Sequence, residues 1–475
     1  MSRGIADTVA NLATRLARQA AATAGDIVER ALDRQLRLAV TGLSQSGKTA
    51  FITALVHQLE QACAPDSRLP LWRLPDEGRL LGVRCVPQMN AHIPSFAFDA
   101  AMARLRGQPP AWPESTRGVS EIRLEIRYRP TGRFAREIGT LYLDIVDYPG
   151  EWLLDLPLLW LDYATWSAEV AEMLRASPRI AALAADWQQW APAPDDPFDE
   201  AAVRKAAADY TRFLQACRTE LGLSLLQPGR FLLPGESAGA PMLQFLPWVR
   251  GPVPAEPLPG GTCAVLAARY EEYKRHLVRG FYREHFAGFD RQIVLVDCLH
   301  ALDGGPECLH DTQRALARII ESFSYGSGNF LTRLFSPRID RVLFVASKAD
   351  HVLPEQHAAL VSLLQQLVGG PAGIARFEGV PSDCMAIASV AATEPASGRT
   401  PAGESVRGLR GHSIAGEPLL VRPHALPEGM PGVHWWQEHA ARFDRFRPRA
   451  MDGMQPMPHI RLDAALEFLL GDKVN

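Results

Sequence analysis

Eight consecutive residues, Gly42-Leu43-Ser44-Gln45-Ser46-Gly47-Lys48-Thr49, meet every fixed position of the phosphate-binding pattern G-x-x-x-x-G-K-[ST]. The chemistry of that pattern is anion capture. Backbone N–H groups from Ser44 to Ala50 converge on a β-phosphate, and the positive end of the helix that follows adds to their pull. Lys48 reaches the β and γ oxygens, and Thr49 offers its hydroxyl to Mg2+. The spacing calls for a nucleoside phosphate.

An Mg2+ ion there also needs a carboxylate at the end of a neighbouring strand. Asp147 closes the run Leu143-Asp144-Ile145-Val146 and opens Asp147-Tyr148-Pro149-Gly150, a D-x-x-G whose glycine N–H can meet a γ-phosphate. Asp144 is the rival, but it lies within the strand and an odd step from Asp147, so a structural part is expected of it. A switch threonine that loses its Mg2+ contact on hydrolysis should lie shortly before the preceding strand. Thr116, in Pro113-Glu114-Ser115-Thr116-Arg117-Gly118, stands there, with Ser115 as a possible substitute. Arg117 is either a solvated loop arginine or one that acts on the phosphates in cis. Glu151 occupies the position after the glycine where small GTPases carry a water-orienting glutamine, so slow intrinsic hydrolysis is expected.

Guanine is told from adenine by a carboxylate that accepts from N1–H and the exocyclic amine together. Ser347-Lys348-Ala349-Asp350 follows an apolar strand and matches the base-reading pattern [NT]-K-x-D except for serine at its first position. Asp350 is the reader, and the stem of Lys348 lies over the base and the loop. Ser389, in Ala388-Ser389-Val390, stands where GTPases place a backbone N–H against the guanine O6. The expected ligands are GTP and GDP with Mg2+.

These residues need a scaffold that aligns strand ends. Strand patterns recur at Leu36–Val40, Glu121–Tyr128, Thr140–Val146, Arg291–Val296, Arg341–Ala346 and Asp383–Ser389, and helical patterns at Ala50–Glu60, Cys308–Ser322 and Glu355–Leu367 alternate with them. The alternation predicts an α/β fold: a P-loop NTPase or GTPase-like, mostly parallel sheet flanked by helices. Glu121–Tyr128 and Thr140–Val146, joined through Pro130-Thr131-Gly132, read as an antiparallel hairpin at the sheet edge. Residues 36–150 and 290–393 form the two parts of this domain. They are separated by a large, mainly helical insertion at 151–289, whose stretch from Gln227 to Pro259 holds eight prolines. A Gly/Pro-rich insertion follows at 394–459, then a C-terminal helix at 460–475.

Residues 1–35 carry Ile5, Val9, Leu12 and Leu16 at helical spacing beside Arg15 and Arg18, an amphipathic helix that docks on its own domain, on a partner or on a membrane surface. The apolar run from Leu153 to Leu161 either packs on the insertion or forms a nucleotide-gated partner surface.

A hydrophobic content of 47% fits a globular chain with a large core, and a net charge of −3 with interspersed signs argues against nucleic acid as a partner. Seven cysteines without a C-x-x-C pair fit a reducing cytoplasm. No apolar run approaches the roughly 18 residues of a spanning helix. The expected location is cytoplasmic, with peripheral contact at the inner membrane as the alternative. Two motifs mislead. Gly235-Glu236-Ser237-Ala238-Gly239 fits a hydrolase elbow but falls among prolines. His434 and His439 are five apart and miss one helix face, so the segment around Trp435 reads as aromatic packing.

Through GLSQSGKT, the SEIRLEI strand after Ser-Thr-Arg-Gly, DYPGEW and FVASKADHV, most of the chain resembles the YcjX-like family of bacterial P-loop NTPases. The resemblance implies guanine-nucleotide binding, a stress-associated role and a protein effector that it does not name. Ser44 departs from the glycine that small GTPases carry there, and with Glu151 it argues against fast unassisted turnover. An Mg2+-dependent GTPase switch leads; a nucleotide-gated module without turnover, and an ATPase or kinase on the same loop, are the alternatives.

Overall fold

The computed structural model describes residues 34–43, 45–115, 118–131, 137–324, 339–369, 380–399, 405–439, 442–451 and 455–474. Among the described residues seven strands form one sheet: β1 (Arg34–Gly42), β2 (Leu80–Val86), β3 (Ser120–Tyr128), β4 (Gly139–Asp147), β5 (Arg291–Val296), β6 (Arg341–Ala346) and β7 (Ser382–Ala386). Their order is β2-β3-β4-β1-β5-β6-β7, and β3 alone runs against the rest. Among the described residues the helices of eight or more residues are α1 (Lys48–Glu60), α2 (Phe98–Leu105), α3 (Tyr163–Ala176), α4 (Glu200–Glu220), α5 (Thr262–Tyr273), α6 (Gly305–Ser324), α7 (His357–Leu367) and α8 (Leu462–Leu470).

Strand composition explains this layering. Every residue of β5 is buried, as a central parallel strand covered on both faces requires. Alternate residues of the sheet then feed two cores. Leu38, Val40, Leu143, Ile293 and Val345 meet α1, α2 and α8 on one face. Ala39, Val146, Val294, Phe344 and Ala386 meet α6, α7 and the helices between β4 and β5 on the other. The mostly parallel α/β fold expected from the sequence is the one present. Among the described residues no helix is long and apolar enough to cross a membrane.

The hairpin expectation needs one correction. β3 and β4 do pair antiparallel, from Ser120↔Asp147 to Tyr128↔Gly139, but β2 pairs outside β3, so the hairpin is not the edge. β2 escapes a periodicity reading because its register is broken between Leu80 and Gly82. The Gly/Pro-rich stretch also holds structure: β8 (Glu394–Arg399), β9 (Ser405–His412) and β10 (Pro418–Val421) form a separate antiparallel sheet. The elbow motif is a short 3-10 turn, Gly235–Ser237, preceded by the short helix Gly229–Leu232 rather than a strand. Trp435 stacks on His439 at 4.9 Å, the aromatic packing expected. The N-terminal helical stripe lies outside the described residues.

Arg291, at the start of β5, has a fully buried side chain that donates to Asp340 at 2.8 Å, to Asp472 at 2.6 Å and to the Leu469 carbonyl. It clamps the end of α8 onto the sheet. Arg291→Ala is expected to cost about 2–3 kcal/mol, as loss of charge-assisted hydrogen bonds does, and to speed amide exchange across Leu462–Leu470. Unchanged exchange there would contradict this role.

Candidate nucleotide site

The parallel strands β4, β1, β5, β6 and β7 all end at one edge of the sheet, and at that edge a cavity of about 500 Å³ opens. With neighbouring strands ~4.8 Å apart, the loop after β1 and the loop after β6 stand about 10 Å apart. The cavity collects Gly42, Gln45, Ser46, Gly47, Lys48, Thr49 and Ala50 from the first loop, and Ser347, Lys348, Asp350 and Ser389 from the loops after β6 and β7. Glu151 lines it as well. Two sequence motifs separated by some three hundred residues thus share one wall.

Local geometry shows why these residue types are needed. Gly47 has φ 83°, a left-handed conformation that glycine adopts without strain, and it turns the chain into α1. A side chain at Gly42 would collide with Ser46 Oγ. A side chain at Gly150 would collide with the Gly42 carbonyl oxygen, so the end of β4 packs directly on the loop. Lys48 Nζ donates to the Tyr148 carbonyl and sits 3.2 Å from Asp147 Oδ1. Tyr148 is fully buried, stacked on Phe289 at 5.7 Å, and its hydroxyl donates to Gln292 at 3.1 Å. Ser44, Thr116 and Arg117 lie outside the described residues.

Thr49, in the first turn of α1, and Asp147, at the end of β4, offer hard oxygen donors of the kind Mg2+ takes. Among the described residues no group of three His, Cys, Asp or Glu is arranged for a metal. An ion beside Thr49 would draw the rest of its shell from phosphate and water, which is how Mg2+ is usually held. Asp144, the rival, is buried, accepts from Gln35 at 2.5 Å and lies 3.6 Å from Arg123. It holds strands together.

At the other end, Lys348 has φ 59° and its Nζ donates to Asp297, the residue that follows β5. Burial would raise the Asp297 carboxyl, but the Lys348 charge and the His300 N–H outweigh it and the net shift is downward. Ser347 Oγ donates to the Val296 carbonyl at 3.3 Å. The serine in place of Asn or Thr therefore ties β6 to β5. Asp350 is 5% exposed, and its Oδ2 accepts from the Ala392 N–H at 2.7 Å. The segment after β10 completes the wall: Phe446 and Arg445 line the cavity, and Trp112 donates to the Phe446 carbonyl at 2.8 Å.

Sequence comparison supplies the relatives. The family model described as YcjX-like family, DUF463, matches residues 36–474. The chain belongs to the YcjX-like family. It is 48% identical over 460 residues to a protein of Escherichia coli strain K12 named "Ras-like GTPase YcjX", covering 94% of this chain and 98% of that one. A protein of the same name from Shewanella oneidensis is 41% identical over 471 residues, covering 94% of this chain and 96% of its own length.

In this YcjX-like chain the segment after Gly150 turns inward. Leu153, Leu154, Leu156 and Leu158 are buried in the core shared with α3, α4 and α5, while Trp160 stays 46% exposed. Of the two readings of the apolar run, packing on the inserted helices is the one present. The fastening is polar too. Trp152 Nε1 donates to the Leu233 carbonyl at 3.0 Å with Arg230 over its ring, and Gln227 donates to the Leu154 carbonyl. Asp155 accepts from the Gly229 N–H at 2.8 Å and from the Tyr273 hydroxyl. Arg218, from the last turn of α4, reaches the cavity wall beside Glu151. Asp297 was findable as a carboxylate after an apolar strand, whereas nothing local marked Arg218, Trp112 or Phe446.

Burial pushes the Asp155 carboxyl up from 3.8 to about 6, against its hydrogen bonds. The native state then keeps a proton that the unfolded chain gives up from about pH 4. The resulting stability is full below that pH and is lost as the pH rises through 6, by at most about 3 kcal/mol. Asp155→Asn is expected to flatten this fall, measured as the difference in urea stability between pH 4.5 and pH 7. An equal fall in both proteins would contradict the assignment.

Proposed function

We propose that the chain binds guanine nucleotides with Mg2+ and hydrolyses GTP slowly, acting as a molecular switch. The observation that carries this reading is the shared cavity: a phosphate loop and a Ser-Lys-Ala-Asp base reader on the same edge of one sheet. The relatives named Ras-like GTPase support it. The stress-response role and cytoplasmic location rest on family resemblance and belong to the same proposal.

In this mechanism the loop N–H groups take the β-phosphate, and Asp350 accepts from the guanine N1–H and amine. Lys48 leaves Asp147 and the Tyr148 carbonyl for the β and γ oxygens. Thr49 and Asp147, joined by Thr116, would hold Mg2+, which neutralises phosphate charge when bound. The Gly150 N–H meets the γ-phosphate. Glu151 flanks the attacking water, and its carboxylate lacks the amide donor with which a glutamine would help to orient that water, consistent with slow turnover. The glutamate in place of glutamine also suits a second reading, a nucleotide-gated module with negligible turnover, which single-turnover phosphate release separates from the first.

Calorimetric titration tests the central assignment. GTP and GDP should bind on the order of 100-fold more tightly than ATP and ADP, because adenine leaves the Asp350 carboxylate without its donors. Asp350→Asn should abolish that preference, and Lys48→Ala should weaken all four nucleotides by about 100-fold. Equal affinity of the unmutated chain for ATP and GTP would overturn the assignment.

A further inference from the structure

The cavity wall near Gly150 carries a cation that the phosphate loop does not supply. Arg218 Nη2 lies 3.2 Å from Glu151 Oε1, with the two side chains 28% and 12% exposed. Both line the cavity. Glu151 directly follows Gly150, whose backbone rests on the Gly42 carbonyl, so the ion pair stands beside the place where a third phosphate would lie.

Arg218 is presented by a rigid element. α4 starts at an Asp199 cap that accepts from the Ala201 and Ala202 N–H groups, and Phe213, Leu214 and Cys217 bury the turn that carries Arg218. The Tyr210 hydroxyl donates to the Gln227 carbonyl at 3.0 Å, which joins the helix to the segment packed on Trp152. The guanidinium therefore arrives at the wall on a fixed stem.

We propose that Arg218 is a catalytic residue for GTP hydrolysis, supplied within the chain by the inserted helices and parked on Glu151 when the phosphate site holds no third phosphate. The proposal rests on the GTPase reading above. A carboxylate alone beside a triphosphate would repel it, and Arg218 offsets that charge. A guanidinium also matches phosphate oxygens with two parallel donors, which a lysine cannot do. In the step, water oxygen bonds to the γ-phosphorus while the bond from that phosphorus to the β–γ bridging oxygen breaks. GDP leaves with the electron pair of that bond, and the water proton ends on the released phosphate or in solvent. Arg218 moves from Glu151 onto the oxygens that gain charge and stabilises them.

The test uses the full chain as wild type, Arg218→Ala and Arg218→Lys, with three readouts: single-turnover hydrolysis of bound GTP, GDP affinity, and capture of aluminium fluoride beside bound GDP. The expected result for Arg218→Ala is a hydrolysis rate lower by about 100-fold or more, GDP affinity within about threefold of wild type, and no aluminium fluoride capture. Arg218→Lys should recover only part of the rate, since charge returns without the fork. If Arg218→Ala fails to fold, Arg218→Lys still decides, and a wild-type rate in it overturns the proposal. Wild-type hydrolysis in Arg218→Ala, or a parallel loss of GDP affinity and rate, overturns it while leaving the GTPase reading intact. Tight GTP binding without any wild-type hydrolysis overturns both.

Discussion

The close approach of Gly150 to the Gly42 carbonyl oxygen is the constraint on which the rest of the structure depends. A single carbon added at Gly150 would occupy the space of that oxygen, so the end of β4 can lie against the first loop only as bare backbone. The contact brings the D-x-x-G turn within reach of whatever the loop holds. It also fixes where the chain must go next, because residues 150–161 leave the loop directly for the core shared with α3, α4 and α5.

That route gives the site a mechanical partner inside the same chain. Glu151 is held through its side chain by Arg218, and its carbonyl lies so close to Gly229 that a side chain there would collide with it. Trp152 and Asp155 continue the fastening into the turn at Gly229–Leu232. Lys48 supplies the other half of the coupling. It pairs with Asp147 at 3.2 Å and with the Tyr148 carbonyl, contacts that a phosphate would compete for. In the proposed function a phosphate that draws Lys48 away would therefore act on Asp147 and Tyr148, and the backbone after them leads straight to the inserted helices.

Much of this was legible in the sequence because the relevant signals are local. The loop's glycines are dictated by one left-handed turn and one close approach, and the central strands announce themselves as short apolar runs ending in Asp147, Asp297 or Ser347. The Ser-Lys-Ala-Asp motif proposed as base reader stands out by position, directly after β6. Long-range relations were not legible. β2 has a broken register, and the strand Glu394–Arg399 alternates half-buried and exposed residues without apolar character, so neither produces a period. The wall made by Trp112 and Phe446 joins residues more than three hundred positions apart through a carbonyl oxygen, which no side-chain pattern encodes. Arg218 looks like any charged residue near a helix end until the fold sets it beside Glu151.

The central claim is that the third phosphate is felt by the inserted helices through the backbone that follows Gly150. Amide hydrogen exchange of the chain bound to GDP and to a non-hydrolysable GTP analogue tests it most directly. The account predicts that the analogue alone raises protection in Asp147–Asp162 and, with it, in Gly229–Leu232, while Leu462–Leu470 on the opposite face of the sheet stays the same. Identical protection of Asp147–Asp162 and Gly229–Leu232 in the two complexes would contradict it.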